Sequence, residues 1–314
     1  MKEPAHQDIS DAVDALLDEA QALGGLEQAM PLYLRALALD PDRATTHYNI
    51  GLVYKYRGAW AESLHHNRRA SDLQADNEAA HWNMGIAATA LRDWPAAREA
   101  WRRAGLEIPE GEGPIDADFG IAPVRLNPVS EDEAPEVVWG MRIDPVRVVL
   151  GNIPFPHSGH RQGDVVLHDG AAVGQREHGG STYSVFNELE IFEASANSTW
   201  EVEVRARDAA DLAALTGALD SANVEHEVWT TNVRLMCKAC SEGLPHDHDD
   251  AEAKTHAWPD THLLGISATS PDAARKVLQQ WSAGGSGFLS RLVRKVDSDR
   301  LLRFECALAG SPVH

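Results

Sequence analysis

The sequence is poor in cysteine, holds few aromatic residues and lacks any excess of positive charge. Its 28 lysines and arginines stand against 48 acids, a formal net charge of −20. A field of that sign repels phosphate backbones and anionic headgroups, so neither nucleic acid nor a membrane surface is an expected partner. No apolar run approaches bilayer length. The opening "MKEPAHQDISDAVDALL" has no basic stretch followed by an apolar core, so no signal peptide is expected. The three cysteines, Cys237, Cys240 and Cys306, are too few for a disulfide framework. These absences give the expectation of a cytoplasmic protein with free or metal-bound thiols. No nucleophile elbow, phosphate loop or dinucleotide fingerprint occurs. The glycine-rich "SAGGSG" at 282–287 follows a helical pattern and reads as its end. At 314 residues, two or three domains are expected.

What is present begins with a repeat. "HYNIGLVYKYRGAWAESLHHNRRA" (47–70) aligns with "HWNMGIAATALRDWPAAREAWRRA" (81–104). His47 matches His81, Asn49 matches Asn83, Gly51 matches Gly85 and Trp60 matches Trp94. A fainter copy upstream sets Ala29, Tyr33, Ala36 and Pro41 in register with Ala97, Trp101, Ala104 and Pro109. The 34-residue offset, with small residues at fixed positions, resembles the tetratricopeptide repeat (TPR). The resemblance covers about residues 10–109, a third of the chain. It implies a solenoid of antiparallel helix pairs, in which a pair cannot bury its apolar face alone.

The resemblance also implies a concave groove, lined by the first helix of each pair, that binds a protein or peptide. By register the groove includes Tyr48, Asn49, Leu52, Tyr56, Trp82, Asn83 and Ile86. The basic clamp by which some family members hold a terminal carboxylate is missing, since its positions here include Asp14, Thr45, Tyr48 and Ala79. The alternative is that these asparagines and aromatics only pack between helices.

Residues 109–135 carry five prolines and three glycines and read as a tether over 110–135. Short β-branched and aromatic runs follow, which predict a β-rich domain over 136–196. "NIPFPHSGHRQGD" lies between two of its strands. Its His157, His160 and Asp164, with His168 and His178, form a candidate second metal or acid–base cluster; the plainer reading is a solvated loop. Prolines on both sides of Phe155 predict a rigid, exposed loop.

From 197 to 311 the pattern reads β-α-β, β-α-β, a ferredoxin-like arrangement. "TWEVEVRA" alternates as a half-buried strand. Asp208 caps a helix with Leu212, Leu215 and Leu219 on one face. Further strands are expected over 224–236, 261–268 and 300–309, the last with Cys306 as a buried thiol. Ser270-Pro271-Asp272 opens a second helix. "FLSRLVRKV" (288–296) suits a helix as well as a strand. The expected whole is therefore multidomain, α plus α+β.

The loop 237–260 inside that last domain holds "CKACSEGLPHDHDD". Cys237 and Cys240, at C-x-x-C spacing, can place two thiolates on one ion. His246 and His248 point both imidazoles to one side of an extended chain. Two sulfurs and two nitrogens make a closed, structural zinc set; His256 or His262 is an alternative ligand. A redox dithiol and an acidic loop without metal are the competing readings. The functional expectation is a protein-interaction adaptor with a TPR groove and a structural zinc site. The alternatives are a metal-dependent enzyme using the C-terminal histidines, and a small-molecule sensor.

Overall fold

The computed structural model describes residues 4–129, 136–230, 258–259, 261–284 and 287–296. The chain divides into two compact units, the first ending at Ala117 and taking in Asp144–Val146, the second holding the rest.

The first unit is built on six helices: α1 (Pro4–Ala22), α2 (Leu26–Leu39), α3 (Ala44–Tyr56), α4 (Trp60–Leu73), α5 (Glu78–Ala90) and α6 (Trp94–Arg103). Their starts follow local chemistry. The Asn77 side chain accepts from the Ala80 amide at 3.0 Å, and that of Asp93 from the Ala96 amide at 3.2 Å. Pro95 in the first turn of α6 adds a fixed φ where no amide partner is needed. Each pair turns through one residue of positive φ: Gly24 at 66°, Gly58 at 68° and Arg92 at 58°. The third repeat thus holds an arginine where its neighbours use glycine, in a conformation that costs about 1 kcal/mol without glycine.

Packing repeats with the same period but different side chains. A Cβ on Gly51 would lie 2.4 Å from the Asn67 amide, and one on Gly85 would lie 2.5 Å from the Trp101 ring. Asn67 and Trp101 occupy the same place in successive repeats, and Tyr33 holds it in the first. Trp101 is fully buried and meets Trp82 edge-on at 5.1 Å. Ala29, Ala36, Ala70, Ala97 and Ala100 are buried between helices, which lets the backbones approach.

The second unit contains a closed five-stranded barrel: β1 (Ile121–Leu126), β2 (Glu136–Arg142), β3 (Arg147–Leu150), β4 (Val165–His178) and β5 (Ser181–Glu193). Each strand pairs antiparallel with the next. Five is odd, so the closing pair, β1 with β5, is parallel. Val124, Leu126, Val138, Val148, Leu150 and Val166 fill the interior. The tether expected over 110–135 therefore contains a strand. Its prolines hid it: Pro123 faces Trp139 of β2, but lies outside the Val124–Arg125 stretch that pairs with β5.

A four-stranded antiparallel sheet follows, from β6 (Ser198–Ala206), β7 (Glu225–Val228), β8 (His262–Ala268) and β9 (Gly287–Val296), in the order β7-β8-β6-β9. Helices α7 (Ala209–Ser221) and α8 (Asp272–Ala283) supply Leu212, Leu215, Leu219, Val277, Leu278 and Trp281 to its core, against Val202, Val204, Leu264 and Ile266. Asp208 caps α7 as its position suggests, accepting from the Asp211 amide at 2.9 Å. The place beside β6 is taken by 287–296, the segment left open between helix and strand. The strand expected over 300–309, and Cys306 with it, lie outside the described residues, as does the second half of the strand expected over 224–236.

Barrel and sheet are joined through the β3–β4 loop. The Ile153 amide donates to Glu227 of β7 at 3.0 Å, and the Phe155 amide to Glu136 of β2 at 3.0 Å. Pro154 and Pro156 have no amide to satisfy. Every backbone donor from 153 to 156 thus meets a carboxylate or does not exist. The Trp229 indole donates to the Ile153 carbonyl at 3.1 Å, and Gly265 of β8 leaves room for that indole and for Ile153. The loop expected to be exposed is instead a strut within the unit.

Candidate functional site

A pocket of about 490 Å³ opens between α1, α2 and α3. Helical spacing places Asp14, Leu17, Asp18 and Gln21 on one wall, since residues three and four apart share a face. Thr45 and Asn49, four apart on α3, also line it, with Arg43 just before the helix start. Leu26, Ala29 and Tyr33 of α2 complete the lining, with Ala29 and Tyr33 buried. Tyr33 is 6% exposed, and burial pushes its hydroxyl pKa up, so it stays protonated. Arg43 pairs with Asp14 across the pocket. The lining offers two carboxylates, a guanidinium, two carboxamides and two hydroxyls beside apolar side chains.

The expected groove residues fall in several environments. Asn49 lines the pocket, and Tyr48 and Leu52 are half-buried on the same helix. Tyr56 is 53% exposed beneath the Lys55 ammonium, 4.6 Å from its ring centre. Trp82 is half-buried on Trp101, while Asn83 and Ile86 are buried. Burial makes Asn83 and Ile86 packing residues in this structure, the plainer of the two readings at those positions.

Behind α3 lies a histidine pair that the repeat pattern did not single out. His47 Nε2 is 2.9 Å from the Pro41 carbonyl, and its Nδ1 is 3.0 Å from His66 Nδ1. The carbonyl requires a proton on Nε2 of His47, so in the neutral ring Nδ1 accepts and His66 donates. Burial first, then the neighbouring His47 and His65, push His66 down to about 4, which keeps the His66 ring neutral.

In the barrel, His160 Nε2 lies 2.5 Å from a Glu188 carboxylate oxygen, and its Nδ1 lies 2.8 Å from the Ser158 carbonyl. The other Glu188 oxygen accepts from the Asn127 amide at 3.0 Å. Burial opposes the charge on His160, but the hydrogen bond and charge of Glu188, the Ser158 carbonyl and Asp164 outweigh it, so its pKa is raised. Asp164 is fully buried; it accepts from the Arg161 and Ser195 amides at 2.7 Å each and pairs with Arg161 at 3.1 Å. Desolvation outweighs these bonds and raises its pKa.

The candidate cluster of His157, His160 and Asp164 does not converge. His157 is exposed and stacks on Phe155, His168 stacks on Phe186 at 4.6 Å, and His178 sits 5.1 Å from Trp139. Its buried members hold the loop to the barrel. Glu188, the actual partner of His160, lies 28 residues away and had no local signal.

Cys237, Cys240, His246, His248 and His256 lie outside the described residues. Among the described residues, no group of three or more His, Cys, Asp or Glu side chains could hold a metal ion. His262 is fully buried on β8 against Trp258, and burial lowers its pKa. No helix among the described residues is long and apolar enough to cross a membrane.

The family model of the TPR repeat matches residues 21–58, which take in α2, α3 and one side of the pocket. No curated protein matches the chain. A crystal structure of a hypothetical protein from Neisseria gonorrhoeae aligns at 13% identity over 56% of this chain and 94% of that one. Its TM-score of 0.26 is too low to define a shared fold. The 34-residue register, the paired helices and the family match agree on one assignment: the N-terminal part of this chain is a tetratricopeptide-repeat region.

Proposed function

We propose that the protein is an interaction adaptor whose α1/α3 groove holds an extended peptide of a protein partner. The repeat region supports a protein-interaction role. The single observation behind the finer reading is the pocket itself, which Asn49 and Thr45 of α3 line together with Asp18 and Gln21 of α1. A carboxamide can donate to and accept from a peptide backbone at once. The test is a peptide-array screen with the full chain and with Asn49→Ala. Retained peptides should bind the variant about tenfold more weakly, the loss of a buried backbone clamp, with an unchanged melting temperature. Equal binding by both proteins would remove the groove from the account.

The second unit, on this reading, is a ferredoxin-like sheet fused to a barrel and carrying a zinc loop. The β-α-β-β-α-β order and the strand order β7-β8-β6-β9 support the first part. The donor set of Cys237, Cys240, His246 and His248 supports the second, with two thiolates and two imidazoles suited to zinc. The strands before and after the loop in the chain are neighbours, with Val228 opposite Leu264. Zinc bound there would stabilise the chain rather than activate water, because four protein ligands fill a tetrahedron. Metal content by mass spectrometry should give one zinc per chain, lost in Cys237→Ser/Cys240→Ser together with thermal stability. Metal-free wild type, or metal kept by the variant, would sink this assignment.

A further inference from the structure

We infer that the α1/α3 pocket takes a lysine or arginine side chain of the partner peptide; this rests on the groove reading above. The charges lining the pocket are Asp14, Asp18 and Arg43. Arg43 is committed to Asp14, and among the described residues no basic group pairs with Asp18. The surroundings add to the same sign. Helix α1 holds Asp8, Asp11, Asp14, Asp18 and Glu19 and no lysine or arginine. Asp11, Asp14 and Asp18 are spaced three and four apart, so they form one stripe that runs into the pocket wall. With Arg43 offset by Asp14, the pocket keeps a net negative charge, and a concave site of net negative charge concentrates cations.

The shape favours a long cationic side chain over a small ion. Leu17, Leu26 and Tyr33 offer apolar surface for an aliphatic stem, with the carboxylate of Asp18 at the rim for its charged head. A divalent ion would need several converging oxygens, and Asp14 is already held by Arg43. Asn49 of α3, in the same lining, supplies a carboxamide that can hold the backbone carrying the side chain. An acidic peptide, by contrast, would meet the Asp11–Asp14–Asp18 stripe as it entered.

The test is selection from a random-peptide display library on the full chain and on Asp18→Lys, with binding of selected peptides measured at two salt concentrations. Asp18 is exposed on α1, so its reversal leaves the core intact. The wild type should enrich peptides with a lysine or arginine, and Asp18→Lys should weaken them on the order of tenfold. Their binding should also fall as salt rises, and replacing the peptide cation with glutamine should give the same loss. Peptides that need Asn49 but carry no basic residue, or that bind Asp18→Lys equally, would overturn this inference and leave the groove standing. Peptides indifferent to Asn49→Ala, or none retained by the wild type, would overturn the groove reading and this inference with it.

Discussion

In the solenoid, His66 lies against a second histidine; in the barrel, His160 lies against Glu188. Both rings are tucked into the protein, yet one is held neutral and the other favours its charge. What differs is the partner that the fold brings to each. Distance along the chain differs as well. In the solenoid Tyr33, Asn67 and Trp101 fill one position in successive repeats, next to helices of the same or neighbouring pair. In the second unit, the bonds that join barrel to sheet link residues 74 and 76 apart. One region is assembled from near neighbours, the other from distant ones.

Deleting the largest fully buried side chain of the solenoid tests this separation most severely. Trp101→Ala should cost roughly 3–5 kcal/mol, since the ring is fully buried against Gly85 and Trp82. Calorimetry should show the solenoid transition falling while that of the second unit holds. Equal movement of both would mean that the chain unfolds as one body. The reverse experiment is Glu188→Ala, which leaves His160 buried without its anion and should cost about 3 kcal/mol. Here the barrel should lose hydrogen-exchange protection in β5 first.

The pH response sharpens the contrast. The pKa of His66 is lowered to about 4, so its unfolded form binds a proton that the folded form refuses. Solenoid stability should fall by about 2 kcal/mol as pH drops from roughly 6.5 toward 4, allowing for partial exposure. The pKa of His160 is raised, so its contribution is complete below the unfolded value and is lost as pH rises through the folded one. Segment-resolved exchange should show α4 weakening in acid and β5 weakening in base. His66→Asn and His160→Gln should each flatten one limb. A smaller effect separates repeats rather than regions. Gly58→Arg, which imports the residue found at 92, should cost about 1 kcal/mol at a φ of 68°.

The same contrast sets how much the sequence revealed. The solenoid was legible because each packing contact recurs at a fixed offset, so the pattern of small and aromatic residues shows the fold. The helices of the second unit were legible through Asp208 and the leucine face of α7. Strand β9 was not, and the reason is a bulge. Val204 pairs with Leu289 and Glu203 with Arg291, so the register skips a residue. That skip turns both Leu289 and Leu292 to the core, three positions apart, a spacing that imitates a helix. Strand β1 was masked by prolines, and the strut at 152–155 by its dependence on Glu227 and Trp229, far along the chain. Of the candidate sites, the register placed Asn49 at the pocket, but nothing local marked Asn83 and Ile86 as buried or Glu188 as the partner of His160.

The central claim is that partner recognition belongs to the first region. Hydrogen–deuterium exchange of the full chain, with and without a peptide selected on it, tests this directly. The account predicts added protection in α1 and α3, over residues 4–22 and 44–56, and little change beyond residue 118. Protection confined to the barrel or the sheet, with α1 and α3 unchanged, would contradict it.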